Sequence, residues 1–276
     1  MISERSKFVD IGRRLVTSST LITLIGLVLV FAGPYWFGLL VVLFAGLALY
    51  EFFSLMRAAR IYVYRLFGVS MGVIITLVVC LEQGRTQSGE VLFLVLGCLF
   101  LFLLQFSYKN NGEALTGISL TLFGILYISW FLSFVIKIRF LPGGILWVAY
   151  LLIVTKAADI GAYLLGTAIG RHPFIAHISP KKSIEGLIGG LLLSTVVSVA
   201  VRSFLPIHFG LFQSAVLGLL VGGIGQIGDL SESLMKRFCN AKDSGSTLPG
   251  MGGILDAVDS ILFTAPIFYF HLKIFY

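Results

Sequence analysis

Asp159, Asp229, Asp256 and Asp259 are four of only 13 acidic residues in 276, and each lies in or beside a long apolar run. Cations keep them company: Lys156 precedes Asp159, while Lys236, Arg237 and the pair Lys242-Asp243 follow Asp229. An ionisable side chain inside apolar sequence is costly unless it is paired or faces water or a polar ligand. Asp256 and Asp259 are three residues apart at the expected start of the last helix, so they share a face. Carboxylates there also complement the helix dipole. With Asp229 arriving from the preceding run, however, they form a hard-oxygen set suited to magnesium. That ion takes few carboxylates and completes its shell with phosphate and water. Gly245, Pro249, Gly250, Gly252 and Gly253 predict a tight loop whose backbone can approach a phosphate. Carboxylates, cations and glycines in one segment point to phosphoryl or nucleotidyl transfer, where positioning and charge neutralisation supply most of the catalysis.

A second constellation spans 156–190. On a helix Asp159, Tyr163 and Gly166 share one face, and Lys156 is placed to pair with Asp159. Such a pair either locks a helix or faces a polar substrate or metal, because desolvation offsets most of its attraction. The following loop carries Arg171 and Ser179-Pro180-Lys181-Lys182-Ser183. Pro180 is expected to stop a helix and Ser183, with Glu185 and Gly186 after it, to start the next. Lys181 and Lys182 would then stand at a helix N-terminus, where free N–H groups already favour anions. His172 and His177 lack companion ligands and are not expected to bind metal.

The elements that must position these residues are membrane helices. Hydrophobic residues make up 58% of the chain and charged residues 12%, against about 25% charged in soluble domains. Mean hydropathy is +1.00. The runs are too long and continuous for barrel strands. The fold class is therefore all-α, a polytopic integral membrane protein with about nine transmembrane helices near 20–32, 34–55, 66–81, 90–107, 117–136, 143–169, 184–205, 209–229 and 253–275. With the N-terminus in the cytoplasm, the inner loops collect Arg5, Lys7, Arg13, Arg14, Arg57, Arg60, Arg65, Lys109, Arg171, Lys181, Lys182, Lys236, Arg237 and Lys242. The outer ones hold only Arg85, Lys137, Arg139, Arg202 and Lys273. That bias matches the positive-inside rule and accounts for most of the net charge of +7, so no nucleic-acid partner is needed. The first apolar run lacks Ala-x-Ala spacing and another run follows at once, favouring an uncleaved helix over a signal peptide. Cys80, Cys98 and Cys239 suggest neither a disulfide framework nor a zinc site.

The chain changes character near residue 140. Residues 1–140 read as N-terminal scaffold helices with possible dimer contacts, in which Gly38/Gly46 and Gly117/Gly124 permit close packing. Glu51 is expected to pair locally with Arg57 or Arg60. Residues 141–276 read as the catalytic region, with loops 170–183 and 230–252 on the same, cytoplasmic side.

The segment Ser233-x-Met235-Lys236-Arg237, Lys242-Asp243-x-Gly245, Leu248-Pro249 and Gly252-Gly253-Ile254-x-Asp256-x-Val258-Asp259 resembles the signature of the phosphatidate cytidylyltransferases. Asp159, Ala162-Tyr163, Gly166, Arg171, Ser179-Pro180-Lys181-Lys182-Ser183-x-Glu185-Gly186 and Gly228-Asp229-Leu230 are similar to that family as well. The resemblance implies an enzyme of the cell inner membrane, active site cytoplasmic, that joins CTP to phosphatidate to give CDP-diacylglycerol and pyrophosphate. It implies Asp229, Asp256, Lys242 and Asp243 as catalytic, with Asp229, Asp256, Asp259 and Asp159 holding Mg²⁺, alone or with a second cation. Tyr163, Arg171, Ser179, Lys181, Lys182, Ser183, Lys236, Arg237, Gly252 and Gly253 would bind substrate, and the protein would be a homodimer. Met251 stands where the family usually has His, and Ala257 where it has Arg, so altered phosphate contacts are expected. Two other readings compete: a CTP-dependent polyprenol or phytol kinase, and an ion-coupled transporter using Lys156, Asp159 and Asp229.

Overall fold

The computed structural model describes residues 2–85, 88–107, 112–207 and 209–275, with side chains from Val16 onward except that of Ser88. Lys109 and the side chains of Arg5, Lys7, Arg13 and Arg14 lie outside the described residues. Helices α1 (Ile2–Phe31), α2 (Pro34–Ala58), α3 (Arg65–Leu81), α4 (Ser88–Phe106) and α5 (Ala114–Arg139) are followed by α6 (Gly144–Ile169). A two-stranded antiparallel hairpin, β1 (Pro173–Ile175) and β2 (Ser179–Ser183), leads into α7 (Ile184–Val201), α8 (Leu211–Phe238) and α9 (Ile254–Phe275). The protein is a nearly all-α polytopic membrane protein. Among the described residues, seven helices are long and apolar enough to cross a membrane, and two more, Val16–Phe31 and Arg65–Leu81, are apolar but shorter. The expected nine spans are thus seven by length, with two short helices at the remaining positions.

The chain packs as two units. Residues 1–136 and 239–257 form the first, and residues 137–238 and 258–276 the second. The change in character near residue 140 therefore does not match the packing throughout, since the glycine-rich segment 239–257 belongs with the N-terminal helices.

In the first unit, aromatic and aliphatic side chains fill the gaps between α2, α3, α4 and α5. Tyr64, Leu101 and Ile118 form one buried cluster and Met71, Ile75 and Ile125 another, both touching Phe67. Residues Ile125–Trp130 of α5 form a π-helical stretch. The Arg65 guanidinium lies 3.8 Å from the centre of the Tyr50 ring, a cation–π contact.

In the second unit, α6, α7 and α8 pack through small residues. Gly186, Gly189 and Gly190 of α7 meet the backbone of Ala162, Gly161 and Ala158 on α6. Lipid tails give helices no hydrophobic drive to associate, so close van der Waals packing through small residues takes that role. Tyr150 stacks on Phe268 at 5.4 Å, and Trp147 meets Phe209 and Phe268 edge-on, which ties α9 to α6. Lys137, expected in an outer loop, is instead 1% exposed at the end of α5, with its ammonium 5.9 Å from the Tyr269 ring centre.

Candidate active site

The second unit gathers three of the four expected carboxylates. Asp159 of α6 pairs with Lys156 at 3.0 Å, as the i,i+3 spacing predicted. Asp229 of α8 pairs with Lys182 of β2 at 2.8 Å, a contact invisible to local spacing. Asp259 of α9 is 7% exposed, accepts 2.9 Å from the Ser260 hydroxyl, and lies within electrostatic reach of Asp229, Lys156 and Asp159. The Ser260 hydroxyl is also 3.4 Å from both oxygens of Asp159, so its one proton has two carboxylates within reach. Sequence reading passed over Ser260; a hydroxyl directly after an aspartate inside an apolar helix was the available signal.

Gly228 decides how closely α8 and α9 approach here. A side chain on it would stand 2.6 Å from the Asp259 carbonyl oxygen and 3.1 Å from Ser260 Cα. Only glycine lets the two backbones meet at the level of the aspartates.

The cations come from the hairpin and from the end of α8. Pro180 lies in β2 and stops no helix, because α6 has already ended at Ile169. Ser183 does start α7: its hydroxyl accepts from Gly186 N at 3.1 Å. Lys181 and Lys182 therefore stand on the strand that enters the helix. Glu185 fixes the hairpin by accepting from Arg171 N at 3.1 Å and His172 N at 3.3 Å, with His172 Nδ1 at 2.6 Å. The Lys182 ammonium is enclosed, and no N–H of it is aligned in a hydrogen bond despite the nearby Asp229 carboxylate. Tyr163, Arg171 and Lys181 are exposed and Ser179 is half-buried. Arg237 donates from Nε to the Ile178 carbonyl at 3.3 Å, tying the end of α8 to the hairpin. Lys236 is held by the fully buried Glu232 one turn earlier.

The first unit contains the remaining carboxylate. Asp256 Oδ2 accepts from Ser244 N at 2.9 Å, Ser244 Oγ at 2.8 Å and Gly253 N at 2.8 Å. Its visible work is to close the loop before α9. Gly252 has φ +102°, in the left-handed region that favours glycine, and a side chain there would meet Asp256. Carboxylates crowd these glycines, which had been expected to leave room for phosphate. Lys242 and Asp243 are exposed on the same loop. Met251 is seated on α1, where Ser18 Oγ donates to its sulfur at 3.1 Å and Thr17 to the Pro249 carbonyl at 2.8 Å. Cys239 is buried, which pushes its thiol pKa up.

Among the described residues, no three His, Cys, Asp or Glu side chains converge to hold a metal alone. Magnesium does not require three; one or two carboxylates plus substrate phosphates suffice. The oxygen donors of Asp229 and Asp259 fit that pattern, and Lys182 fits an anion beside it.

The sequence profile of the Cytidylyltransferase family matches residues 12–275, nearly the whole chain. The chain belongs to the cytidylyltransferase family. It is 31% identical to the phosphatidate cytidylyltransferase of Synechocystis over 92% of this chain and 95% of that protein. With the phosphatidate cytidylyltransferase of Bacillus subtilis it shares 30% identity, over 97% and 99%. A shorter match to the Staphylococcus aureus protein of that name reaches 41% over 124 residues. As a cytidylyltransferase the chain is a nucleotidyl-transferring enzyme, so charge neutralisation around a triphosphate is the task against which its carboxylates and lysines are read.

Proposed function

We propose that this cytidylyltransferase transfers CMP from CTP to phosphatidate, giving CDP-diacylglycerol and pyrophosphate at the cytoplasmic face of the inner membrane. The observation that carries the reading is the cluster of Asp159, Asp229 and Asp259 with Lys156 and Lys182, set among membrane helices. A phosphate oxygen of phosphatidate attacks the α-phosphorus of CTP. A new P–O bond forms, the bond from that phosphorus to the bridging oxygen breaks, and pyrophosphate leaves with the electron pair. The attacking oxygen is already anionic, so no strong general base is required. Lys182, whose enclosed N–H groups lack aligned acceptors, binds phosphate charge, and Lys156 offers a second cation. Asp229 and Asp259 would hold Mg²⁺, which when bound supplies charge neutralisation at the triphosphate oxygens. Ser260 orients Asp259 and Asp159 by hydrogen bonding. As the family resemblance implies, the protein works as a homodimer.

Incubating the purified protein with phosphatidate, Mg²⁺ and CTP labelled in the cytidine tests the reaction. Label is expected in the lipid, and Asp229→Asn is expected to lower its rate at least about a hundredfold, the scale of lost transition-state charge stabilisation. Equal labelling by the variant would remove Asp229 from the site. Lipid labelled only when CTP carries the label in its γ-phosphate would replace the reading with kinase chemistry.

A further inference from the structure

Glu51 lies on α2, in the half of the chain that reads as scaffold, yet it is only 4% exposed. It does not pair with Arg57 or Arg60 as local spacing suggested. Its Oε1 accepts from Thr247 Oγ1 at 2.5 Å and Ile254 N at 3.0 Å, and its Oε2 accepts from Leu255 N at 2.9 Å. Ile254 and Leu255 open α9, so a carboxylate from a helix some two hundred positions earlier satisfies amides that have no partner within α9 itself. Negative charge at that end also suits the helix dipole. Gly245 and Gly253 make the fit possible, for a side chain on either would collide with Glu51. The Ser244 hydroxyl stands between Asp256 and Glu51, 2.8 Å from Asp256 Oδ2 and 3.4 Å from Glu51 Oε2. With one proton to give, it serves Asp256 at the shorter distance while Glu51 borders it.

We propose that Glu51 is a positioning residue for the transfer reaction: it clamps the start of α9 and, through Ser244 and the adjoining backbone, fixes Asp256 in the geometry that catalysis uses. This rests on the function proposed above and on the catalytic role that the family resemblance implies for Asp256. Glu51 touches no substrate in this account. It makes a carboxylate of the N-terminal half part of the support for the glycine-rich loop.

The test compares wild type with Glu51→Gln, which keeps the volume but turns an acceptor oxygen into an N–H group facing backbone donors. Thr247→Val, losing one bond only, serves as a milder second variant. Two quantities are read on folded, monodisperse protein in detergent: hydrogen exchange of a peptide covering 244–256, and the rate of lipid labelling as a function of Mg²⁺. In Glu51→Gln, exchange is expected to quicken at least tenfold, kcat to fall at least tenfold, and the half-saturating Mg²⁺ concentration to rise at least threefold. Thr247→Val is expected to move all three in the same direction by less. Unchanged exchange in both variants would overturn the clamp. Faster exchange with wild-type kcat and Mg²⁺ dependence would overturn the positioning role, leaving only a structural one. If wild type labels no lipid, the reaction assignment fails and the positioning role fails with it, while the exchange comparison still judges the clamp.

Discussion

Gly228→Ala separates a geometric account of the aspartate cluster from a merely compositional one. The added methyl would begin 2.6 Å from the Asp259 carbonyl oxygen, whereas ordinary contact starts near 3.4 Å. The backbone of α9 offers no flexible end that can swing aside, so α8 and α9 must part by about 0.8 Å to restore normal contact distances. Overpacking of this kind costs about 1–3 kcal/mol, and replacing a helical glycine by alanine returns about 0.5–1 kcal/mol. The net loss is roughly 0–2.5 kcal/mol, or at most about 10 °C in melting temperature for a chain of this size. Activity is far more sensitive, because a displacement near 1 Å costs on the order of a hundredfold in rate. Gly223→Ala is the matched control on the same helix, since a side chain there meets only Leu191 at 3.6 Å. Lipid labelling and thermal melting in detergent are measured on both. Gly228→Ala is expected to melt within about 10 °C of wild type with kcat reduced between about tenfold and a hundredfold, and Gly223→Ala to keep both. Wild-type kcat in Gly228→Ala would refute the idea that α8–α9 spacing sets the site. So would an equal loss in Gly223→Ala.

Two further outcomes follow from the same contacts. Ser183→Ala removes the acceptor for Gly186 N, a loss of about 1 kcal/mol for a helix cap; melting should drop by a few degrees and KM for CTP should rise, because Lys182 is the adjoining residue. Cys239 is buried and its thiol pKa is raised, so the folded protein favours the protonated form. Stability from this group is full below the ordinary thiol pKa and falls as pH rises through the elevated one. Iodoacetamide at pH 8 should therefore modify Cys239 at least ten times more slowly in the folded protein than after SDS unfolding, as read by peptide mass; equal rates would contradict its burial.

Hydropathy located the helices because a bilayer imposes a length on them, and Asp159, Asp229 and Asp259 stood out because charge in such helices is expensive. What escaped was whatever depends on distant partners. Glu51 was assigned to Arg57 or Arg60 because these were the only partners that helical spacing could offer. Its actual donors at Thr247, Ile254 and Leu255 arrive from across the chain. Lys182 and Asp229 are likewise brought together by a hairpin, and segment 170–183 shows no alternation to announce one. Lys137 reads as a loop cation because it ends an apolar run, and its burial beside Tyr269 depends on how α9 packs.

The glycines of this chain connect these successes and failures. The sequence marked Gly252 and Gly253 as room for phosphate, yet the visible neighbours of the loop glycines are Asp256 and Glu51. Gly228 likewise faces the Asp259 backbone. In each place the missing side chain lets an acidic residue or its backbone come close. A carboxylate brought into a membrane protein needs donors, cations or a ligand within hydrogen-bond distance. Bulky side chains between two helices would hold those partners apart. Glycine beside an aspartate in this protein therefore has an electrostatic consequence as well as a steric one, because it sets the distance over which charge is compensated. Met251 follows the same logic by contrast. Its side chain is directed to Ser18 on α1, so at that position, where the family usually has His, the loop is anchored by packing.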